Sequence, residues 1–230
     1  MYKYETHLHT CPVSACSKAT PEESVEFYKS LGYDGIFITN HFFDGNTRID
    51  RNLPWEEQIT QYFSDYEKAL EYAEKTGGIK VFCGVEMGAA GSHFLVYGLD
   101  KQWYIENPQV LTLQYTDKFK FIEENGGFII HAHPFREDHF INHIRLFPRH
   151  VHAVEIINAC RNSFENEMAH HYADSYGLLH FAGSDNHCAG HLQKLAGVES
   201  DEPINSVEEF ISAAKDGKFK VFTLENKTEE

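Results

Sequence analysis

Histidine and acidic side chains fall in short, regularly spaced groups along this chain. His7 and His9 are two residues apart, as are His131 and His133, and Asp185 and His187. On an extended strand that spacing sends both side chains to one face, so one ion can reach both. Imidazole and carboxylate donors suit zinc, iron or manganese. Glu86 adds a carboxylate, which can bridge two ions as one imidazole nitrogen cannot. Two bridged ions about 3.5–4 Å apart hold a water or hydroxide and clamp an oxyanion. The chemistry this pattern points to is metal-assisted hydrolysis.

A single His-x-His pair is unspecific; the position of these residues along the chain makes the set specific. Short apolar runs at 2–9, 35–39, 80–85, 93–99, 128–131, 154–157 and 179–183 read as strands, with one more at 219–224. His7 and His9, His41, Glu86, His133, Asn158, and Asp185 with His187 end these runs or directly follow them. His93 is the exception, near the start of its run. Helical patterns separate most of the runs. Thr20-Pro21-Glu22-Glu23 offers an N-cap, a proline at the first helical position and a capping-box glutamate, and Gly32 ends that helix. A second helix runs from Trp55 to Lys75, with Ile59, Phe63, Tyr66 and Leu70 on one face. A third ends at Glu124, a fourth spans 165–176, and a fifth starts at Ser206. Strand–helix alternation implies an α/β fold with a mostly parallel sheet. The C-terminal strand ends of such a sheet share one rim, so these distant residues should converge there. Periodicity does not decide between an open sheet and a closed barrel.

At 230 residues the chain suits one domain over 1–230 and buries a core without a staple. Its 42% apolar and 24% charged residues exclude a disordered or fibrous protein. A net charge of −15 argues against binding long nucleic acid through a basic surface. No apolar run approaches the roughly 18 residues of a membrane span, and no apolar signal core follows Met1. The five cysteines show no paired spacing and read as reduced thiols of a cytoplasmic protein. Of these, Cys16 stands out because it follows His7-x-His9 in the next loop. His139, His143, His150, His152, His170, His171, His180 and His191 read as surface or packing residues. His131 is ambiguous: it shares strand parity with His133, which leaves a packing, supporting or substrate-side role open.

Taken in order, Glu5-Thr6-His7-Leu8-His9-Thr10, Thr39-Asn40-His41, Gly84-Val85-Glu86, His93-Phe94-Leu95, His133-Pro134 and Gly183-Ser184-Asp185-Asn186-His187 resemble the PHP (polymerase and histidinol phosphatase) family of metal-dependent phosphoesterases. The resemblance covers about residues 1–190. It implies a distorted seven-stranded (β/α)7 barrel with a di- or trinuclear site for two or three divalent ions: zinc, manganese or iron. By the same resemblance His7, His9, Glu86 and Asp185 hold one ion, and Glu86, His93 and His133 a second. His41 and His187 hold a third. That third site usually gains an Asp or His from the loop after the first motif; here the loop offers Cys16, whose thiolate can substitute. Asn40 stands where the family usually has Asp, a change that alters hydrogen bonding rather than ligation.

The expected activity is hydrolysis of a phosphoester of a small metabolite or nucleotide by a metal-bridging hydroxide. Glu86, Asp185 and His187 are the expected catalytic residues, with Arg136 on the phosphoryl oxygens and Arg161 as second candidate. His187 or His41 would protonate the leaving oxygen. Two other classes fit the same residues: amidohydrolase-type C–N hydrolysis, and a non-catalytic metal-binding module.

Overall fold

The computed structural model describes residues 1–89, 91–139, 141–190 and 192–225. His191 and the last five residues therefore lie outside the described residues. The elements in order are β1 (Tyr2–Leu8), α1 (Pro21–Ser30), β2 (Gly35–Ile38), α2 (Trp55–Thr76), β3 (Lys80–Ala89) and β4 (Ser92–Tyr97). Then come α3 (Lys101–Glu106), a 3-10 turn (Pro108–Leu111), α4 (Tyr115–Glu124), β5 (Phe128–Ala132) and β6 (Ala153–Asn158). The chain continues through α5 (Ser163–Tyr176), β7 (Leu179–Gly183), β8 (Lys194–Ser200), α6 (Val207–Lys215) and β9 (Lys220–Glu225).

Local chemistry sets the helix starts. Thr20 accepts from Glu23 N while Glu23 reaches back to Thr20 N, and Asn162 with Glu165 repeats this at α5. Gly177 closes α5 in the left-handed conformation at φ 64°, which a residue with a Cβ disfavours.

The strands form one sheet in the order β7-β6-β5-β4-β3-β2-β1-β8-β9. It curls until β7 returns to β1. Thr6 Oγ1 donates to Ala182 O at 2.7 Å, and His9 N to Asn186 O at 2.9 Å. The result is a nearly closed, barrel-like α/β sheet.

The sheet has nine strands, which corrects the seven-stranded expectation. Of the two beyond seven, β9 falls on the run at 219–224, and β8, absent from the sequence reading, pairs antiparallel with β1 and with β9. Its alternation is blunted by Gly197 and Glu199, so it carries a weak strand signal. A strict (β/α)7 repeat does not hold either, because β4 runs antiparallel to both β3 and β5. That reversal accounts for His93. The start of β4 lies at the rim where β3 and β5 end, with His93 paired to Gly88 and Ala132.

Side-chain alternation divides the core. Phe37 joins Tyr4, Leu95, Tyr97, Phe128, Ile130 and Phe181 within the curled sheet, packed against Phe210 of α6. Its neighbours Ile36 and Ile38 face the other way, onto Val25 and Tyr28 of α1 and Ala69 of α2. The same alternation corrects the parity argument for His131. Ile129 and His131 point outward from β5, and His131 packs between Phe94, Phe147 and Tyr172. His133 lies beyond the strand with φ 28°, so the two-residue rule fails between them. No helix among the described residues is long and apolar enough to cross a membrane.

Candidate metal centre

The rim collects residues from six strand ends. His7 and His9 come from β1, His41 from just after β2, Glu86 from within β3, and His93 from the start of β4. His133 follows β5, and Asp185 and His187 follow β7. His133 and Asp185 both have positive φ (28° and 53°), a conformation rare for side-chain-bearing residues and found where local structure serves a site.

Their separations are informative. His7 Nε2 and His9 Nε2 are 3.2 Å apart, and Asp185 Oδ1 lies 3.5 Å from the first and 3.3 Å from the second. Two donors on a tetrahedral ion with bonds of about 2.1 Å are separated by roughly 3.4 Å. The three atoms thus outline one face of such a tetrahedron. Glu86 Oε1 lies 3.4 Å from His7 Nε2, on the side it shares with His133.

Hydrogen bonding on the far side of each ring supports this reading. His7 Nδ1 lies 2.9 Å from Glu155 Oε1, and a carboxylate there takes the N–H. Ser14 Oγ donates to Asn40 Oδ1, so it receives the N–H of His9 Nδ1 at 3.1 Å. His187 Nδ1 donates to Asp185 O at 2.8 Å. Each ring then presents its Nε2 lone pair to the interior, where a cation reconciles lone pairs otherwise too close.

Glu86 is shared between groups. Its Oε1 lies 2.9 Å from His93 Nδ1 and 3.3 Å from His133 Nε2. Its Oε2 sits against His41 Nδ1 and 3.6 Å from His9 Nε2, yet accepts no well-directed hydrogen bond among the described residues. A buried carboxylate oxygen left this way is a ligand in waiting. Four overlapping groups have donor atoms close enough to hold an ion: His7/His9/Asp185, His7/Glu86/His133, His41/Glu86/His93 and His9/His41/His187. The donor set therefore fits transition-metal ions.

The electrostatics of Glu86, Asp185 and His9 agree, whereas His7 must give up a proton to ligate. Burial would raise Glu86 and Asp185, but the imidazoles around them hold both carboxyls well below the usual range. His9 is pushed well below the imidazole range by burial and by His41 and His187. Burial also opposes charge on His7, but Asp185 and Glu155 draw it well above that range. Burial would raise the Cys16 thiol; hydrogen bonds with His187 and His41 bring it down to about 6. Cys16 thus stands beside the two residues with which the sequence groups it.

A cavity of about 420 Å³ opens over the cluster, and Cys16, Arg136 and Arg161 stand on its wall with Glu86, Asp185 and His187. Arg161 Nε is buried with no hydrogen-bond partner among the described residues. Arg136 pairs with Asp138 at 3.3 Å. The loop after β5 adds His143 and Arg145 to an adjoining hollow of about 600 Å³ that shares His93.

Two supporting residues escaped the sequence reading. Glu155 lies mid-strand in β6, fully buried, and takes three hydrogen bonds: from His7 Nδ1, His133 N and Asn158 Nδ2, each 2.9 Å long. Glu5 Oε1 accepts from His7 N and Ser184 N, both at 2.9 Å, and burial lifts its carboxyl to about 7. The available signal was an acidic residue inside an apolar strand run, which is costly unless paired.

A nearly closed α/β sheet with clustered imidazoles and carboxylates on one rim defines a barrel-like protein with a candidate metal site. The chain belongs to the PHP domain family, whose model matches residues 5–219. No curated protein sequence matches this one. Among solved structures, a two-domain protein from Bacteroides vulgatus, described as containing a predicted PHP-like metal-dependent phosphoesterase, superposes with a TM-score of 0.69 at 18% identity. That match covers 96% of this chain but only 64% of the longer protein. A lesion-specific endonuclease from Pyrococcus furiosus gives 0.59 at 16% identity, covering 96% of this chain and 57% of that one. A Chromobacterium violaceum structure described as an amidohydrolase gives 0.55 at 15% identity, covering 82% and 89%. At these identities the likeness shows a shared fold.

Proposed function

We propose that this protein is a metal-dependent phosphoesterase with a di- or trinuclear site, acting as one domain on a small phosphorylated metabolite or nucleotide. The observation that carries the reading is Glu86, whose two oxygens face different imidazole sets: His7, His93 and His133 on one side, His9 and His41 on the other. In this reading His7, His9, Glu86 and Asp185 hold one ion, and Glu86, His93 and His133 a second. His41, His187 and the low-pKa Cys16 thiolate hold a third. Zinc, manganese and iron all suit these donors. When bound, such ions lower the pKa of a coordinated water to near neutrality and offset charge on phosphoryl oxygens.

The chain's own groups supply the rest. Arg161 and Arg136 on the cavity wall bind equatorial phosphoryl oxygens and orient the ester. Where the third ion does not claim them, His187 or His41 on the cavity wall delivers a proton to the leaving oxygen. The five free thiols suit a reducing, cytoplasmic setting. C–N hydrolysis, the activity in the Chromobacterium protein's description, would use the same centre; two arginines on the wall favour an anionic phosphoester instead.

The test is a panel of phosphorylated metabolites, an aryl phosphate and simple amides, run on protein stripped by chelator and reconstituted separately with manganese, zinc and iron. Metal-dependent release of phosphate, lost in Glu86→Ala and His133→Ala, is expected. Turnover unchanged by either substitution, or amide hydrolysis alone, overturns the proposal.

A further inference from the structure

A second group of metal-capable side chains lies away from the rim. His170 and Asp174 are one turn apart on α5, and His180 is the second residue of β7. Asp174 reaches both imidazoles with different oxygens: Oδ1 is 2.9 Å from His180 Nε2, and Oδ2 is 3.4 Å from His170 Nδ1. The two rings lie 4.9 Å apart between centroids. One donor atom from each residue falls within 4.8 Å of the other two.

This cluster is distinct from the rim site. His180 lies at the start of β7 and Asp185 beyond its end, about 16 Å along an extended strand. The frame is rigid. Gly177 and Leu178 alone join α5 to β7, with Leu178 N bonded to Ala173 O and Leu179 N to His152 O. Among the described residues, the ion-pair partners of Asp174 within 4.0 Å are the two imidazoles, with no lysine or arginine. The donor separations of 2.9 and 3.4 Å are near those of neighbouring ligands on one ion.

We propose that His170, Asp174 and His180 form a surface site for a borderline transition cation such as Zn2+. Two imidazoles and one carboxylate favour such ions over Mg2+ or Ca2+, which prefer all-oxygen shells. His170 and Asp174 are exposed and His180 is half-buried, so water completes the coordination. Binding clips the last turn of α5 to the start of β7, two elements whose opposite ends meet the rim site. The occupied form gains stability by mass action.

Footprinting the metal-loaded wild-type protein with diethyl pyrocarbonate, read by mass spectrometry, tests this directly. At zinc ten times above the dissociation constant, modification of His170 and His180 should slow about tenfold. Exposed His139 serves as the reference, and magnesium should protect neither residue. In parallel, a His170→Ala/His180→Ala variant should bind one zinc fewer per chain in equilibrium dialysis and show a smaller zinc-dependent rise in Tm than the wild type. Its hydrolytic activity should be unchanged. Unprotected imidazoles in the wild type, or equal zinc uptake by wild type and variant, would overturn the site. Because neither readout depends on turnover, the result is independent of the rim site's activity.

Discussion

Glu155 Oε1 lies 2.9 Å from His7 Nδ1, both side chains being fully buried. The same carboxylate receives His133 N through Oε2, so one residue orients two members of the candidate centre from β6. Glu155→Gln keeps the shape but puts an amide where His7 needs an acceptor on one side and His133 on the other. Metal affinity should fall by about 10–100-fold. Titration of stripped protein with zinc or manganese checks this; wild-type affinity would refute the orienting role.

His131 tests the opposite kind of histidine. Both its ring nitrogens are buried without hydrogen-bond partners among the described residues, and it stacks on Phe94 at 4.8 Å. Burial, aided by His133 and His93, pushes it down to about 3. The unfolded ring, with a pKa of about 6.5, takes up a proton before the folded one. Stability from this neutral ring is therefore fully present above about pH 6.5 and is lost as pH falls toward 3. His131→Phe should remove a slope of up to about 1.4 kcal/mol per pH unit in that window. At neutral pH it should leave stability unchanged or raise it by about 1 kcal/mol, since unpaired polar atoms are removed. Urea unfolding from pH 4 to 8, compared with wild type, decides; an unchanged acid slope would count against the assignment.

Gly183 marks how tightly β7 approaches the site. A Cβ there would stand 2.5 Å from His7 Cβ and 2.8 Å from Glu155 Oε1. Gly183→Ala must push His7 away from its partner. A loss of about 1–3 kcal/mol in stability is expected, with weaker metal retention. Denaturant midpoints and metal content after dialysis measure both; a variant with wild-type values would show that β1 yields without cost.

Asn40 explains its own departure from the family pattern. Its Oδ1 accepts from Thr10 N and Ser14 Oγ, while its Nδ2 donates to Thr10 Oγ1 and faces Asp65 Oδ2 at 3.5 Å. Asp65 is fully buried, and a second carboxylate beside it would be repelled. Asn40→Asp should cost about 1–3 kcal/mol at neutral pH. The loss should shrink as pH falls and one carboxyl of the pair takes a proton. Thermal unfolding at pH 5 and 8 checks this; a pH-independent difference would remove repulsion as the cause.

Residue type and order alone determined the family, the strand–helix alternation and the identity of the rim residues. His7, His9 and Asp185 announce themselves because polar side chains at the ends of apolar runs are conspicuous, and the capping box at Thr20 is local chemistry. Tertiary structure alone decided what depends on partners distant in the chain. The reversal of β4 brings His93 to the rim, and β8 exists because β1 and β9 offer edges to pair with. His133 reaches the rim although His131 faces outward, because the backbone turns at His133. Glu155 reads as an oddity within a strand until His7, far away in sequence, is folded against it. Backbone preferences and caps act over a few residues, so sequence displays them; the pairing of buried charges and the direction of strands are settled by neighbours that only folding supplies.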